Sequence, residues 1–232
     1  MVTAHIDMAQ KPKRTKSGSA WMHEHVTDPY VRKAQQDGYR SRAAYKLLEI
    51  DRRDRLLRPG MTVVDLGAAP GSWCQVAVQQ MKRQGRVLAI DLLPVAAMPG
   101  VDSLEGDFTD PAALNWLEEK LHNGRVDLVL SDMAPNISGV MLRDQARHYE
   151  LCELALDFAA NWLKPDGAFL VKVFQGVGFE DFRAQMRQAF EQVLIRKPDA
   201  SRDRSTEVYL LGRCPLAARV ASQEDAVISP QD

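Results

Sequence analysis

From Met61 onward, short apolar runs alternate with longer stretches of helical period. Val63-Val64, Val87-Leu88-Ala89-Ile90 and Leu128-Val129-Leu130 are continuously apolar rather than alternating, the pattern of parallel strands covered on both faces. Strands are predicted at Met61–Gly67, Arg86–Leu92, Asp102–Gly106, Val126–Asp132, Ala168–Phe174, Gln192–Arg196 and Glu207–Gly212. Helices are predicted at Arg42–Asp54, Ser72–Arg83, Pro111–His122, Arg143–Leu163 and Phe179–Glu191. In the fourth helix, Leu151, Leu154, Phe158 and Trp162 recur at helical spacing and form the expected core-facing stripe. Regular alternation of strand and helix implies a doubly wound α/β fold: a seven-stranded, mostly parallel sheet with one antiparallel strand and helices on both faces.

The two ends lack any such period. Residues 1–20, with Lys11, Lys13, Arg14 and Lys16, read as a flexible basic arm; residues 215–232 read as a loose tail. Residues 21–214 are expected to form one domain, of which 21–60 is its basic N-terminal part. Across all 232 residues the net charge is only −1, but residues 1–60 carry +6 and the remainder −7. A polyanion partner would therefore meet the front of the chain. Three scattered cysteines, Cys74, Cys152 and Cys214, give no disulfide framework and point to a reducing cytoplasm. No apolar run approaches the ~20 residues of a membrane span, and Met1–Ala20 lacks the apolar core of a secretory signal.

In an open α/β sheet, ligands bind beyond the carboxyl ends of the strands. Apolar runs lead into Asp65, Asp91, Asp107 and Asp132, so four carboxylates are expected along that rim. Such an edge suits a ligand with hydroxyls, amines and positive charge rather than phosphates. The first loop, Asp65-Leu66-Gly67-Ala68-Ala69-Pro70-Gly71-Ser72-Trp73, is glycine-rich. It lacks the GxGxxG order of a dinucleotide fold, which argues against an NAD-dependent oxidoreductase, and it lacks the lysine of a P-loop. A glycine turn, an acid (Asp91) placed to reach ribose hydroxyls and a further acid for an adenine amine describe a pocket for S-adenosylmethionine (SAM).

These segments, with Ser131-Asp132-Met133-Ala134-Pro135-Asn136, Leu170-Val171-Lys172-Val173-Phe174, Tyr39–Leu47 and Lys197–Glu207, resemble the FtsJ/RrmJ-type ribose 2′-O-methyltransferases over about residues 19–213. The resemblance implies a Rossmann-like SAM-dependent methyltransferase with a catalytic tetrad matched here by Lys46, Asp132, Lys172 and Glu207. It implies cofactor contacts at Gly67, Gly71, Trp73, Asp91, Asp107 and Asp132, and no metal. It further implies methylation of a uridine ribose in the A-loop of 23S rRNA, within the large ribosomal subunit or its precursor, by a monomer. The sequence departs from the family pattern at Ser72 and Cys74 in the glycine loop, at Ala44-Tyr45 before the first lysine, and at Ala20.

Methyl transfer from a sulfonium to a hydroxyl is an in-line displacement, so alignment supplies much of the acceleration. The hydroxyl must lose a proton, and Lys172 is expected to accept it. Lys46 and Glu207 would then position the ribose, with Asp132 bridging Lys172 to the cofactor. Asp132-Met133-Ala134-Pro135 lacks the Asp/Asn-Pro-Pro-aromatic turn of amino-directed methyltransferases, which favours an oxygen acceptor. For RNA phosphates the candidates are Arg32, Lys33, Arg40 and Arg42, with a second cluster at Arg196, Lys197, Arg202 and Arg204. Trp21, Tyr30 and Tyr39 interleave with the first set and suit stacking on unpaired bases. His23 and His25 are read as surface residues, not metal ligands. Two alternatives use the same surface: ribose methylation of a tRNA anticodon loop, and an RNA chaperone or assembly factor with secondary catalysis.

Overall fold

The computed structural model describes residues 28–136, 138–202 and 205–216; the arm, Trp21, His23, His25, Arg204 and nearly all of the tail lie outside the described residues. Among the described residues, two helices come first: α1 (Pro29–Asp37) and α2 (Ala43–Asp54). There follow β1 (Met61–Leu66), α3 (Ser72–Gln80), β2 (Gly85–Asp91), β3 (Val101–Glu105), α4 (Pro111–Leu121) and β4 (Val126–Ser131). The last elements are α5 (Met141–Trp162), β5 (Leu163–Phe174), α6 (Phe179–Ala189), β6 (Phe190–Arg196) and β7 (Glu207–Pro215).

The seven strands of the described residues join one sheet in the order β3-β2-β1-β4-β5-β7-β6. Strands β1 to β5 pair in parallel, and β7 runs antiparallel to both its neighbours. The chain builds outward from β1 to β3, then returns to start the other half at β4. The loops after β1 and β4 therefore part at a topological switch point, where such sheets bind ligands.

Successive side chains of a strand face opposite ways, and this explains the unbroken apolar runs. Val64, Val129, Val171 and Leu210 pack with α4, α5 and α6 on one face. Val63, Leu128, Leu170 and Leu211 pack with α2 and α3 on the other. Lys172 has the parity of Leu170, so it faces the side where α2 carries Lys46.

Several expectations are corrected. Helix α1 was not anticipated, although its signal is present: Asp28 accepts the Tyr30 N–H (2.9 Å), Pro29 occupies the first turn and Gly38 closes the helix in the left-handed region. The expected stripe on α5 holds in part: Phe158 is buried and Trp162 packs against the core, but Leu154 is exposed, and the buried line also runs through His148, Cys152, Ala155 and Ala159. Helix α3 ends at Gln80, before Lys82 and Arg83 take left-handed conformations. Pro215, assigned to the tail, instead pairs with Phe190 at the end of β7.

Candidate active site

Across the switch point lies an open cleft lined by Gly67, Ala69, Ile90, Asp91, Leu92, Gly106, Asp107, Phe108, Asp132, Met133, Ala134 and Leu151. Gly67 has φ +78°, and a Cβ there would sit 2.7 Å from the Met133 backbone nitrogen, so the loops after β1 and β4 meet at a spacing that only glycine permits. Asp91 is held on both oxygens, by the Ala69 N–H (2.9 Å) and the Leu93 N–H (2.8 Å). Asp107 accepts from the Thr109 N–H (2.9 Å) and hydroxyl (2.8 Å) through a single oxygen. Three of the four expected acids thus reach the cleft. Asp65 does not: it is fully buried within β1, where its carboxylate accepts the Cys74 S–H (3.1 Å).

Beside the cleft, the four tetrad positions come together as two ion pairs. Lys172 Nζ lies 3.1 Å from Asp132 Oδ1 and donates to the Asp132 carbonyl at 2.5 Å. Lys46 Nζ lies 2.7 Å from Glu207 Oε1, which also accepts from Ser201 Oγ (3.1 Å). Tyr209 joins them, and the sequence reading had missed it. Its hydroxyl donates to Asp132 Oδ1 (3.1 Å) and lies 3.4 Å from Glu207 Oε1. Burial first, then the two carboxylates, push this phenol well above its ordinary range, so it remains a donor. Sheet register places it there: Tyr209 lies opposite Lys172, and Glu207 opposite Phe174. Asp132 belongs to both halves, lining the cleft and pairing with Lys172.

The FtsJ-like methyltransferase family matches residues 39–214, which takes in every one of these groups. The chain belongs to that family. A protein of Thiobacillus denitrificans named ribosomal RNA large subunit methyltransferase E is 85% identical over 209 residues, 90% of this chain and 95% of its own. One of the same name from Azoarcus sp. is 66% identical over 200 residues, covering 86% and 98%. Among solved structures, a ribosomal RNA methyltransferase of Plasmodium falciparum superposes with a TM-score of 0.70 at 28% identity, over 77% of this chain and 99% of that one.

Two expected cofactor contacts stand outside the cleft lining of this FtsJ-like methyltransferase. Gly71 caps α3, and the Trp73 side chain is buried, its Nε1–H donating to the Ala43 carbonyl (2.8 Å) and its ring lying against Tyr209. What Trp73 offers a ligand is its backbone N–H in the first helical turn, where such groups lack intrahelical partners. The indole instead ties α3 to the start of α2 and so fixes the helix that carries Lys46.

Most basic residues expected on phosphates have protein partners. Arg42 binds the Asp28 carboxylate and the Ala200 carbonyl. Arg40 donates to the Pro70 carbonyl (3.1 Å) and braces the glycine loop. Arg196 pairs with both oxygens of Asp54 (2.7 and 2.6 Å). Lys197 donates to the carbonyls of Ser205 (2.7 Å) and Glu207 (2.5 Å), which holds the strand entry that presents the glutamate. Arg32 and Lys33 stay on the outer face of α1, Lys33 also pairing with Asp37 (3.2 Å). Arg202 lines a second cleft with Ser41, Arg42, Ala43, Lys46, Ser205 and Glu207, which opens directly onto the Lys46–Glu207 pair.

Behind Lys172, on the opposite face of the sheet, His148 is buried, and its Nδ1 has no hydrogen-bond partner among the described residues. Burial first, and the Lys172 charge second, lower its pKa to about 4, so this imidazole is neutral. Cys152 packs 3.4 Å from it, and burial raises that thiol to about 12.

Proposed function

We propose that this chain transfers a methyl group from SAM to the 2′-hydroxyl of a uridine ribose in 23S rRNA of the large ribosomal subunit, in the cytoplasm. The observation that carries this reading is the double role of Asp132. One residue borders the donor cleft and also positions the lysine that meets the acceptor. The names of the most similar relatives supply the substrate class.

The cleft suits SAM on chemical grounds. Asp91, fixed by two backbone donors, keeps lone pairs for ribose hydroxyls, and Asp107 keeps an oxygen for an adenine amine. Ile90, Leu92, Phe108 and Leu151 give the purine apolar walls. When bound there, SAM supplies an electrophilic methyl on a sulfonium. The acceptor hydroxyl enters from the side of the second cleft, where Lys46 and Glu207 hold the sugar. Lys172 would take up the hydroxyl proton as the oxygen accepts the methyl group and the donor leaves as a neutral thioether. Asp132 then holds the resulting ammonium through its carboxylate and carbonyl. Tyr209 keeps the two acids in register.

Ribose-methylation mapping of total RNA from cells lacking this chain tests the proposal. One 2′-O-methyluridine of 23S rRNA should vanish, return with the wild-type gene and stay absent with Lys172→Ala. Loss of a mark in a tRNA anticodon loop, or rescue of growth by Lys172→Ala, would overturn it. The glycine contact gives a second test. Gly67→Ala forces a Cβ against Met133 in a left-handed backbone, strain of ~1–3 kcal/mol. SAM affinity by calorimetry should drop about tenfold. An unchanged affinity would remove the loop contact from the donor site.

A further inference from the structure

Among the described residues, the large apolar side chains exposed by more than half are Leu92, Leu93, Val140, Met141, Leu142 and Val177, at 58% to 72%. All six lie beyond the carboxyl ends of β2, β4 and β5, on the connecting loops or in the first turn of α5, along the rim that holds the cleft and the tetrad. Exposed apolar groups scattered singly need no explanation; a set confined to one rim does.

Four of them gather on the β4–β5 side. Val140, Met141 and Leu142 open α5, and their turn is pinned from within. Asp144 accepts from the Ser138 N–H (2.8 Å), the Ser138 hydroxyl (2.6 Å) and the Gly139 N–H (3.1 Å). These bonds hold the Asp144 carboxyl below its usual range and spend it on the turn. Val177 lies between Gly176 and Gly178, which press against Gln145 and Tyr149 of α5. The turn and the loop therefore share one helix face. Arg143, exposed, directly follows Leu142 in the first turn of α5, and Arg147 is half-exposed one turn on.

We infer that Val140, Met141, Leu142 and Val177 form a platform for nucleobases of the RNA flanking the target ribose, with Arg143 and Arg147 on the adjoining phosphates. The inference rests on the proposed reaction and extends it to a base-contacting surface. Unpaired nucleotides present flat apolar faces, and recognition of RNA loops exploits them once the bases are splayed out. The two arginines at the start of α5 supply charge for the phosphates that accompany such bases.

Salt dependence separates the two kinds of contact. Binding to large ribosomal subunits from cells lacking this chain would be measured at several salt concentrations for wild type, for Met141→Ser/Leu142→Ser/Val177→Ser and for Arg143→Gln/Arg147→Gln. The apolar triple variant should bind about tenfold more weakly with an unchanged slope of log K against log [salt]. The arginine variant should show a slope shallower by about 1 to 2. SAM affinity should be the same in all three, and thermal midpoints should match because the side chains are exposed. Wild-type binding by the triple variant would overturn the inference. So would a variant that only turns a dimer into a monomer in sedimentation, which would give the platform to a second copy. Binding is read without turnover, so a wild type that binds subunits but leaves the ribose unmethylated would sink the proposed reaction and still decide this comparison.

Discussion

Lys172→Met is expected to slow methyl transfer by roughly 10² to 10⁴ in single-turnover assays at saturating SAM and RNA, the usual contribution of a positioned proton acceptor. Methionine keeps the length of the side chain and its fit in the apolar strand, but removes the atom 3.1 Å from Asp132 Oδ1. SAM binding should persist, because the cleft is lined by Asp91, Asp107 and Asp132 and not by the lysine. A variant retaining the wild-type single-turnover rate would show that proton removal occurs elsewhere. Thermal unfolding measured in parallel separates a chemical loss from a structural one, since the change leaves the Asp132 carboxylate with Tyr209 alone.

A second large effect should appear in stability against pH, where two buried groups oppose one another. Burial first, then the Asp132 and Asp91 charges, raise Asp65 to about 7 against the Cys74 hydrogen bond. An unfolded aspartate titrates near ~3.9, so Asp65 stabilises the fold most below that value, and its contribution is lost as pH rises toward 7. His148, lowered to about 4, has the reverse sign: its contribution is complete above ~6.5 and is lost as pH falls toward 4. At ~1.4 kcal/mol per pH unit the swings are about 4 and about 3 kcal/mol, and across the shared window they nearly cancel. Denaturant unfolding of the ligand-free protein should therefore depend weakly on pH between about 4.5 and 6.5. Asp65→Asn should unmask a stability that rises with pH, and His148→Gln one that falls. Equal slopes in wild type and both variants would show that neither group titrates as its burial implies.

The sequence revealed the strand–helix alternation because apolar runs and helical periods need no knowledge of the partner. The tetrad was legible as four residue types in family motifs. What pairs them was not: Tyr209 becomes visible only when β7 is set antiparallel against β5 in the register that opposes it to Lys172. Asp65 was misplaced by the same gap, since a strand's last carboxylate cannot be told from its penultimate one without the loop geometry. The partners of the basic residues were hidden as well. Arg196 looked free for phosphate because its partner Asp54 is 142 positions away, and no local count of charges discloses such a pair. Helix α1 is a different case: its cap, proline and closing glycine were all present, but its apolar face is too short to mark a period.

Strand β7 fills the slot between β5 and β6 and is the last described element to leave the ribosome during translation. A nascent chain halted before Glu207 already possesses every side chain lining the cleft, yet it lacks the glutamate, the bridging phenol and the one strand that, among the described residues, hydrogen-bonds to β6. On the proposed reaction, the acceptor half would be complete only with this last described strand, and a product terminated before it would carry an open edge at β5 in its place.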